Sequence, residues 1–579
     1  MGKALKTVVQ IYSLLKQFGI TRVVFSPGGR HLPLIHLLEQ DPDFELYNVT
    51  DERSAAFFAL GLIQQTGQPT VVSCTSGTAC INLASAVIEA YYQRLPLLVI
   101  SGDRYIEYLN QDEDQQYDQI QSFKGYTKYQ ALLPRIDSDL DEWYTNRIIN
   151  EALIELTHHG NGPVHIDFPV GDPFSEVFEL DELPKVRKIS LETAECSDLQ
   201  WKRYAEFLNG KKIAVVWGQS VFPSMELEEA AEAFARTYDA VFLTDYMSNC
   251  RLPHAIKNVP RMMRVAYKVE EREAMFPDVV IRIGANTIFN YEMKALVKQG
   301  DVTFWQVGKE DKVIDGFRKL TQIFEMSESY FFGQMAKHAA LVSSSKYFST
   351  WKRLEEESVR PHSDKFDEMR VIEELINSLP NNSDLQIANS WSTRMSQLMD
   401  IPNGVRVNCN RGVNGIDGSM STAMGFAASN SERMSFLIIG DLSFFYDMNS
   451  LGIKHVGSNV RILLINNNGG SMLYKPFMQQ YLDKGLPMSN LGLGKRLTAK
   501  GWVESLGFEY ISATSLTDYE EGIERLTCEK SDKPIVLEAF TNYYDDQKSY
   551  TVGQMDRRDL SDKMHLGINI ISKKLGFKK

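Results

Sequence analysis

Two turns in this chain carry the residue types of a cation and phosphate site. Gly440-Asp441 closes the apolar run Ser435-Phe436-Leu437-Ile438-Ile439, and Asn468 follows Asp441 by 27 residues, inside Asn466-Asn467-Asn468-Gly469-Gly470. That second turn closes another apolar run, Val460 to Ile465. An Asp carboxylate, an Asn amide oxygen and a backbone carbonyl are hard oxygen donors. They suit a Mg²⁺ that fills its octahedron with diphosphate oxygens and water. Glycines beside them let the backbone approach a phosphate with no side chain in the way. Gly-Asp and Asn-Gly are each ordinary turn formers. Their pairing behind two apolar strands is what points to a metal.

Turns of this kind need a sheet to aim them, and the rest of the chain supplies the pattern. Near the N-terminus a helical stretch, Leu5 to Phe18, leads to Arg22-Val23-Val24-Phe25 and a Pro27-Gly28-Gly29 turn. Strand patterns recur at Thr70-Val71-Val72-Ser73, Pro96 to Ile100 and Pro163 to Phe168, the first two ending in glycine-containing turns. A central set follows at Lys212 to Gly218, Ala240 to Leu243 and Asp278 to Gly284, and a third holds the two metal-type turns. Short apolar strands alternating with helices predict an α/β protein of three doubly wound parallel-sheet domains. The expected bounds are 1–182, 183–358 and 359–579, with charged stretches at 180–200 and 343–368 as linkers. In such sheets ligands sit at the carboxyl ends of the strands. No Gly-x-Gly-x-x-Gly fingerprint marks the central set, so nothing there calls for a dinucleotide.

Composition narrows the partners. The chain has 579 residues, enough for roughly three to four domains. With 62 basic and 75 acidic residues the formal charge is −13, which disfavours nucleic acid. No apolar run reaches membrane-spanning length, and the N-terminal stretch reads as an amphipathic helix rather than a signal. The six cysteines are scattered without zinc spacing, as expected for free thiols in the cytoplasm. His158-His159-Gly160 reads as a helix end and His165 as a core residue.

Gly-Asp, 27 residues, then Asn resembles the signature of thiamine diphosphate enzymes. Over nearly its whole length the chain resembles one family among them, the 2-succinyl-5-enolpyruvyl-6-hydroxy-3-cyclohexene-1-carboxylate synthases of menaquinone biosynthesis. The likeness rests on Ser26-Pro27-Gly28-Gly29-Arg30, on Asp51-Glu52-Arg53-Ser54-Ala55-Ala56-Phe57-Phe58-Ala59-Leu60-Gly61 and on Thr75-Ser76-Gly77-Thr78-Ala79. It continues in Asn410-Arg411-Gly412-Val413-Asn414-Gly415-Ile416-Asp417-Gly418 and Gly440-Asp441-Leu442-Ser443-Phe444. The resemblance implies thiamine diphosphate with Mg²⁺ (or Mn²⁺), held by Asp441, Asn468 and the Gly470 carbonyl. Ser76, Gly77, Leu442 and Ser443 would contact the cofactor, and Ile416 would prop it into its bent shape. Glu52 would be the catalytic carboxyl on the aminopyrimidine, and burial among its apolar neighbours would help keep it protonated.

The same resemblance implies decarboxylation of 2-oxoglutarate and 1,4-addition of the remaining fragment to isochorismate. Both substrates are small polyanions, so fixed guanidinium and amide groups are required. Arg30, Arg104, Asn110, Gln111, Ser390, Arg394 and Arg411 occupy the matching positions. A homodimer or homotetramer with each active site at the chain interface is expected. Some positions depart from the family pattern. Gly29 stands where a serine is usual, and Gly284 to Asn290 lacks a Lys-Arg pair. Tyr105 replaces a proline, Ser471-Met472-Leu473-Tyr474-Lys475 follows the second turn, and a charged tail runs past Glu538. These departures leave open a second reading, a thiamine diphosphate carboligase or decarboxylase of the same type with a different acceptor.

Overall fold

The computed structural model describes residues 3–171, 186–189, 197–262, 273–297, 300–309, 314–340, 345–358, 360–470 and 496–553. Most of the 180–200 stretch, the Ser471 to Lys475 segment and the tail beyond 553 lie outside the described residues.

Three six-stranded sheets, all parallel, organise the chain. The first contains β1 (Arg22–Phe25), β2 (Glu45–Asn48), β3 (Thr70–Cys74), β4 (Leu97–Asp103), β5 (Tyr129–Leu132) and β6 (Val164–Pro169). Its spatial order is β2-β1-β3-β4-β6-β5. The central sheet contains β7 (Ile213–Trp217), β8 (Val241–Thr244), β9 (Ala255–Ile256), β10 (Val279–Ile283), β11 (Thr303–Val307) and β12 (Leu320–Phe324). It is ordered β12-β11-β10-β7-β8-β9, the arrangement of a dinucleotide-type doubly wound sheet without its glycine fingerprint. The third holds β13 (Asp384–Ile387), β14 (Arg406–Asn408), β15 (Ser435–Gly440), β16 (Val460–Ile465), β17 (Glu509–Ala513) and β18 (Ile535–Ala539). Its order, β14-β13-β15-β16-β18-β17, repeats that of the first sheet strand for strand. The expected fold class is therefore the observed one.

The central strands are buried on both faces because helices cover both sides. β3, β4 and β16 are buried along their whole lengths. The edge strands differ: β2 is exposed or half-buried at every residue.

The first and third sheets share one core through a helix pair. The helix Glu52–Thr66 starts at Asp51, whose side chain accepts the Ser54 N–H at 2.7 Å, and stops at Gly67 in the left-handed conformation. Its buried face meets the helix Ser419–Ala428, and the approach is as close as two backbones allow. A Cβ on Gly61 would lie 2.1 Å from the Thr422 carbonyl oxygen, and one on Gly425 would lie 2.0 Å from that of Phe58. Phe58, Val72, Met424, Ile439 and Leu464 belong to the common core.

The region expected as a second linker contains the helix Tyr347–Glu357, which buries Trp351 and Leu354 against the central sheet. His165 is fully buried in β6, as its sequence position predicted. Cys74, Cys80, Cys250, Cys409 and Cys528 are free thiols.

Candidate active site

In sheets ordered like the first and third, connections leave in opposite directions from the first and third strands of the unit, opening a crevice at their carboxyl ends. In the third sheet that crevice lies beyond β13 and β15, with the end of β16 alongside. Gly440 and Ile465 are register partners, so Asp441 and the Asn466–Asn468 turn emerge side by side.

Asp441 opens the helix Asp441–Tyr446 and is buried. Its Oδ1 accepts the Leu442 N–H at 2.7 Å and its Oδ2 the Gly469 N–H at 2.8 Å, so the carboxylate holds the neighbouring turn in place. Burial pushes its carboxyl above the ordinary value, against the pull of those N–H groups. Asn468 has φ 69°, and Gly469 and Gly470 follow at 114° and 80°. A run of positive φ is affordable here because two of its three residues are glycines. Asn467 Oδ1 accepts the Gly470 N–H at 3.2 Å. The Asn468 Oδ1, by contrast, is buried with no hydrogen-bond partner among the described residues. A buried acceptor without a donor is costly. A cation coordinated by it and by Asp441 would satisfy both, so the donor set fits a hard divalent ion.

The loop that precedes the Ser419–Ala428 helix reaches the same crevice. Ser443 Oγ donates to the Ile416 carbonyl at 2.5 Å, and Asn389 Nδ2 donates to the Gly415 carbonyl at 2.7 Å. Ile416 itself is 39% exposed, projecting from a loop fixed at its base, and Leu442 is half-buried beside Ser443. Ser390 adopts φ 79°, ψ −127° at the start of the helix Trp391–Ser396, a strained conformation for a residue with a side chain. Arg411 Nη1 donates to Asn389 Oδ1 at 3.2 Å, while the Nε groups of Arg411 and Arg394 are buried without partners among the described residues. Those N–H groups are available to an anion.

The first sheet builds its own crevice beyond β1 and β3. The two loops touch: a Cβ on Gly28 would lie 2.4 Å from Thr75 Cβ, and Arg30 N–H donates to Thr75 Oγ1 at 3.0 Å. Ser26 Oγ and Ser76 Oγ are buried without partners among the described residues. Gly77, at φ 84°, donates its N–H to Gln119 Oε1 at 3.3 Å. Gln119 in turn donates to the Asp167 carboxylate at 2.7 Å, which also accepts from Ser101 Oγ at 2.8 Å. Burial pushes Asp167 up to about 6, and burial together with the Asp167 charge pushes Asp103 up to about 8. Glu52, first residue of its helix, is only half-buried within the single chain.

Residues 5–122 match the model of the thiamine pyrophosphate enzyme N-terminal TPP binding domain. The 2-succinyl-5-enolpyruvyl-6-hydroxy-3-cyclohexene-1-carboxylate synthase of Bacteroides fragilis is 38% identical over 550 residues, spanning 93% of this chain and 96% of its own. The synthase of the same name from Bacteroides thetaiotaomicron is 36% identical over 548 residues, with the same shares. That of Flavobacterium johnsoniae is 32% identical over 532 residues, 90% of this chain and 94% of its own. The chain belongs to this synthase family.

The expected site residues divide between the ends of the third and first sheets and the loop after β4. Asp441, Leu442, Ser443, Asn468, Gly470, Ile416, Ser390, Arg394 and Arg411 gather at the third crevice. Ser76, Gly77 and Arg30 lie at the first, where Arg30 Nη1 also donates to the carbonyls of Val170 and Gly171. Arg104 turns onto its own loop, with Nε donating to the Asp114 carbonyl at 2.6 Å and Nη1 paired with Glu113 at 3.0 Å. Asn110 and Gln111 are exposed on that loop, and Gln111 donates to the Leu109 carbonyl at 3.4 Å. Gln115 and Gln119, further along, reach Gly77 instead: a Cβ there would lie 3.3 Å from Gln115 Cβ. Gln-x-x-x-Gln in an irregular acidic loop gave no sequence signal for this. No helix among the described residues is long and apolar enough to cross a membrane.

Proposed function

We propose that the protein decarboxylates 2-oxoglutarate and adds the remaining four-carbon fragment to isochorismate in a 1,4-addition, using thiamine diphosphate and Mg²⁺ (or Mn²⁺) in the cytoplasm. The observation that carries the reading is the buried Asn468 Oδ1, without a partner among the described residues, beside the buried Asp441 carboxylate, which asks for a cation where a diphosphate would lie. The cofactor, when bound, supplies the nucleophilic carbon and the electron sink that loss of CO₂ requires.

The chain's own residues do the rest. Asp441, Asn468 and the Gly470 carbonyl hold the metal, and Ser443 keeps the Ile416 loop at the height where Ile416 can prop the cofactor. Arg394, Arg411 and Ser390 take the donor's carboxylates, with Arg30, Arg104, Asn110 and Gln111 left for the anionic acceptor. Glu52 would be the residue that meets the pyrimidine of the bound cofactor. Its half-exposed position in one chain supports a homodimer or homotetramer in which the partner's third domain covers it. The domains run 1–182 for the pyrimidine, 183–358 for the central unit and 359–579 for the diphosphate and metal.

The test mixes the purified protein with Mg²⁺, thiamine diphosphate, 2-oxoglutarate and isochorismate, with products read by mass spectrometry. The succinyl adduct of isochorismate is the expected result. CO₂ release with isochorismate untouched would favour the second reading, a changed acceptor, which Gly29 and the absent Lys-Arg pair support. Light scattering of the same sample gives the assembly, and a monomeric mass would refute the shared-site arrangement.

A further inference from the structure

The loop that carries Arg411 and Ile416 has a second anchor, outside its own domain. The helix Ala84–Gln93 of the first domain presents Glu89, which is 2% exposed. Its Oε1 accepts the Gly412 N–H at 2.8 Å and its Oε2 the Val413 N–H at 2.9 Å, while Gln93 donates to Oε1 at 2.6 Å. Burial pushes the Glu89 carboxyl above its ordinary value, against the pull of Gln93 and of those two N–H groups. The loop backbone also lies directly on the helix, since a Cβ on Gly412 would meet the Glu89 carbonyl oxygen at 2.7 Å. Just before, the Asn410 side-chain Oδ1 accepts from Gln64 Nε2 at 3.2 Å and from Gln93 Nε2 at 3.4 Å. Arg411 is therefore framed by residues clamped to the first domain, and Ile416 follows three residues after the second clamped amide.

We propose that Glu89 is a positioning residue of the active site, setting where Arg411 meets the substrate carboxylate and where Ile416 stands against the cofactor. The inference rests on the roles given above to Arg411 and Ile416. Glu89 touches no reacting atom. Its two oxygens fit two parallel N–H groups, a demand that no other side chain of the same length meets, because a glutamine would face one N–H with its own NH₂. A cavity of about 180 Å³ bordered by Phe57, Ile88, Glu89, Val413 and Asp417 gives the loop room to shift once the anchor is cut.

The experiment uses the full-length protein with Glu89→Gln, Glu89→Ala and the shorter but charged Glu89→Asp. Hydrogen exchange of the cofactor-free protein should rise about tenfold at the peptide spanning 409–418 in the Gln and Ala variants, with 435–440 unchanged. In the loaded enzyme the donor KM should rise about tenfold with kcat held within about threefold, and the Asp variant should fall between. Equal acceleration of exchange in both peptides would reduce Glu89 to a general structural role and overturn the proposal. Unchanged exchange at 409–418 would overturn it as well. Should the wild type decarboxylate nothing, the functional reading fails by itself. The exchange result, with thiamine diphosphate affinity by tryptophan fluorescence expected to weaken about threefold or more in the Gln variant, then decides the proposal alone.

Discussion

The first and third sheets wind their six strands in the same order and open a crevice at the same place, yet they line it differently. The third holds the buried Asp441 carboxylate, bonded to the Leu442 and Gly469 N–H groups, and the Asn468 amide oxygen, which like the Nε groups of Arg394 and Arg411 has no partner among the described residues. The first has the buried Ser26 and Ser76 hydroxyls, without partners among the described residues, and carboxyls that burial pushes toward the protonated form, Asp167 to about 6 and Asp103 to about 8. On the function proposed above, one topology would serve a cation and its phosphates in one crevice and a neutral, hydrogen-bonding ring in the other. Winding decides where a ligand lies. The few residues at the strand ends decide what it is.

That contrast breaks most visibly at Asp441. Asp441→Ala should abolish metal-dependent cofactor binding and lower the decarboxylation rate by about 10³-fold or more. Loss of the thermal shift that Mg²⁺ with thiamine diphosphate gives the wild type checks this. A retained shift would remove Asp441 from the metal site. Glu52→Gln should fail in the opposite manner, with cofactor affinity within about threefold of wild type and turnover down about 10²-fold. Fluorescence titration beside CO₂ release separates the two. If both variants lose binding alike, the two crevices do not divide the work as described.

The parts visible in the sequence are those encoded within a few residues. Asp441 and Asn468 stood out because each follows a strand made mostly of apolar residues, and β15 and β16 form where those runs lie. β2, β5, β14 and β17 gave no such signal: Glu45-Leu46-Tyr47-Asn48 sits at a sheet edge and keeps half its surface wet, so nothing forces an apolar run. Glu89 was invisible for another reason. It is one acidic residue in mid-helix, and its partners Gly412 and Val413 lie more than 300 residues away. The same holds for the buried amides Gln64, Gln93, Gln386 and Asn410, which hydrogen-bond into one cluster although scattered along the chain. Local pattern reveals strands and turns, whereas contacts between domains become legible only once those elements are folded.

The seam between the two regions yields a smaller effect. Gly425→Ala places a Cβ 2.0 Å from the Phe58 carbonyl oxygen and 2.7 Å from its carbon, both backbone atoms, so the helices must part. A loss of about 3 kcal/mol is expected, read as a lower unfolding midpoint. Gly501→Ala, in the helix Lys500–Ser505 with nothing within 4 Å, serves as the contrast and should hold or gain stability. Equal midpoints for the two variants would mean that the seam is looser than its geometry implies.

The smallest effect concerns a buried carboxyl at that seam. Asp447 accepts the Ser421 N–H and hydroxyl, each at 2.7 Å, while burial pushes it up to about 6. A carboxyl raised on folding binds its proton more tightly in the folded state than in the unfolded one, near 4. Its contribution is therefore fully present below that lower value and is lost as the pH climbs through about 6. Between pH 5 and pH 7 the folded state should give up about 1 kcal/mol on this account. Asp447→Asn keeps one acceptor for Ser421 and cannot titrate, so it should be least favourable at pH 5 and gain on the wild type by that amount at pH 7. Unfolding midpoints of both proteins at the two values measure the gain. A constant difference would place the Asp447 proton off the folded protein throughout, and the seam would then bury a true carboxylate.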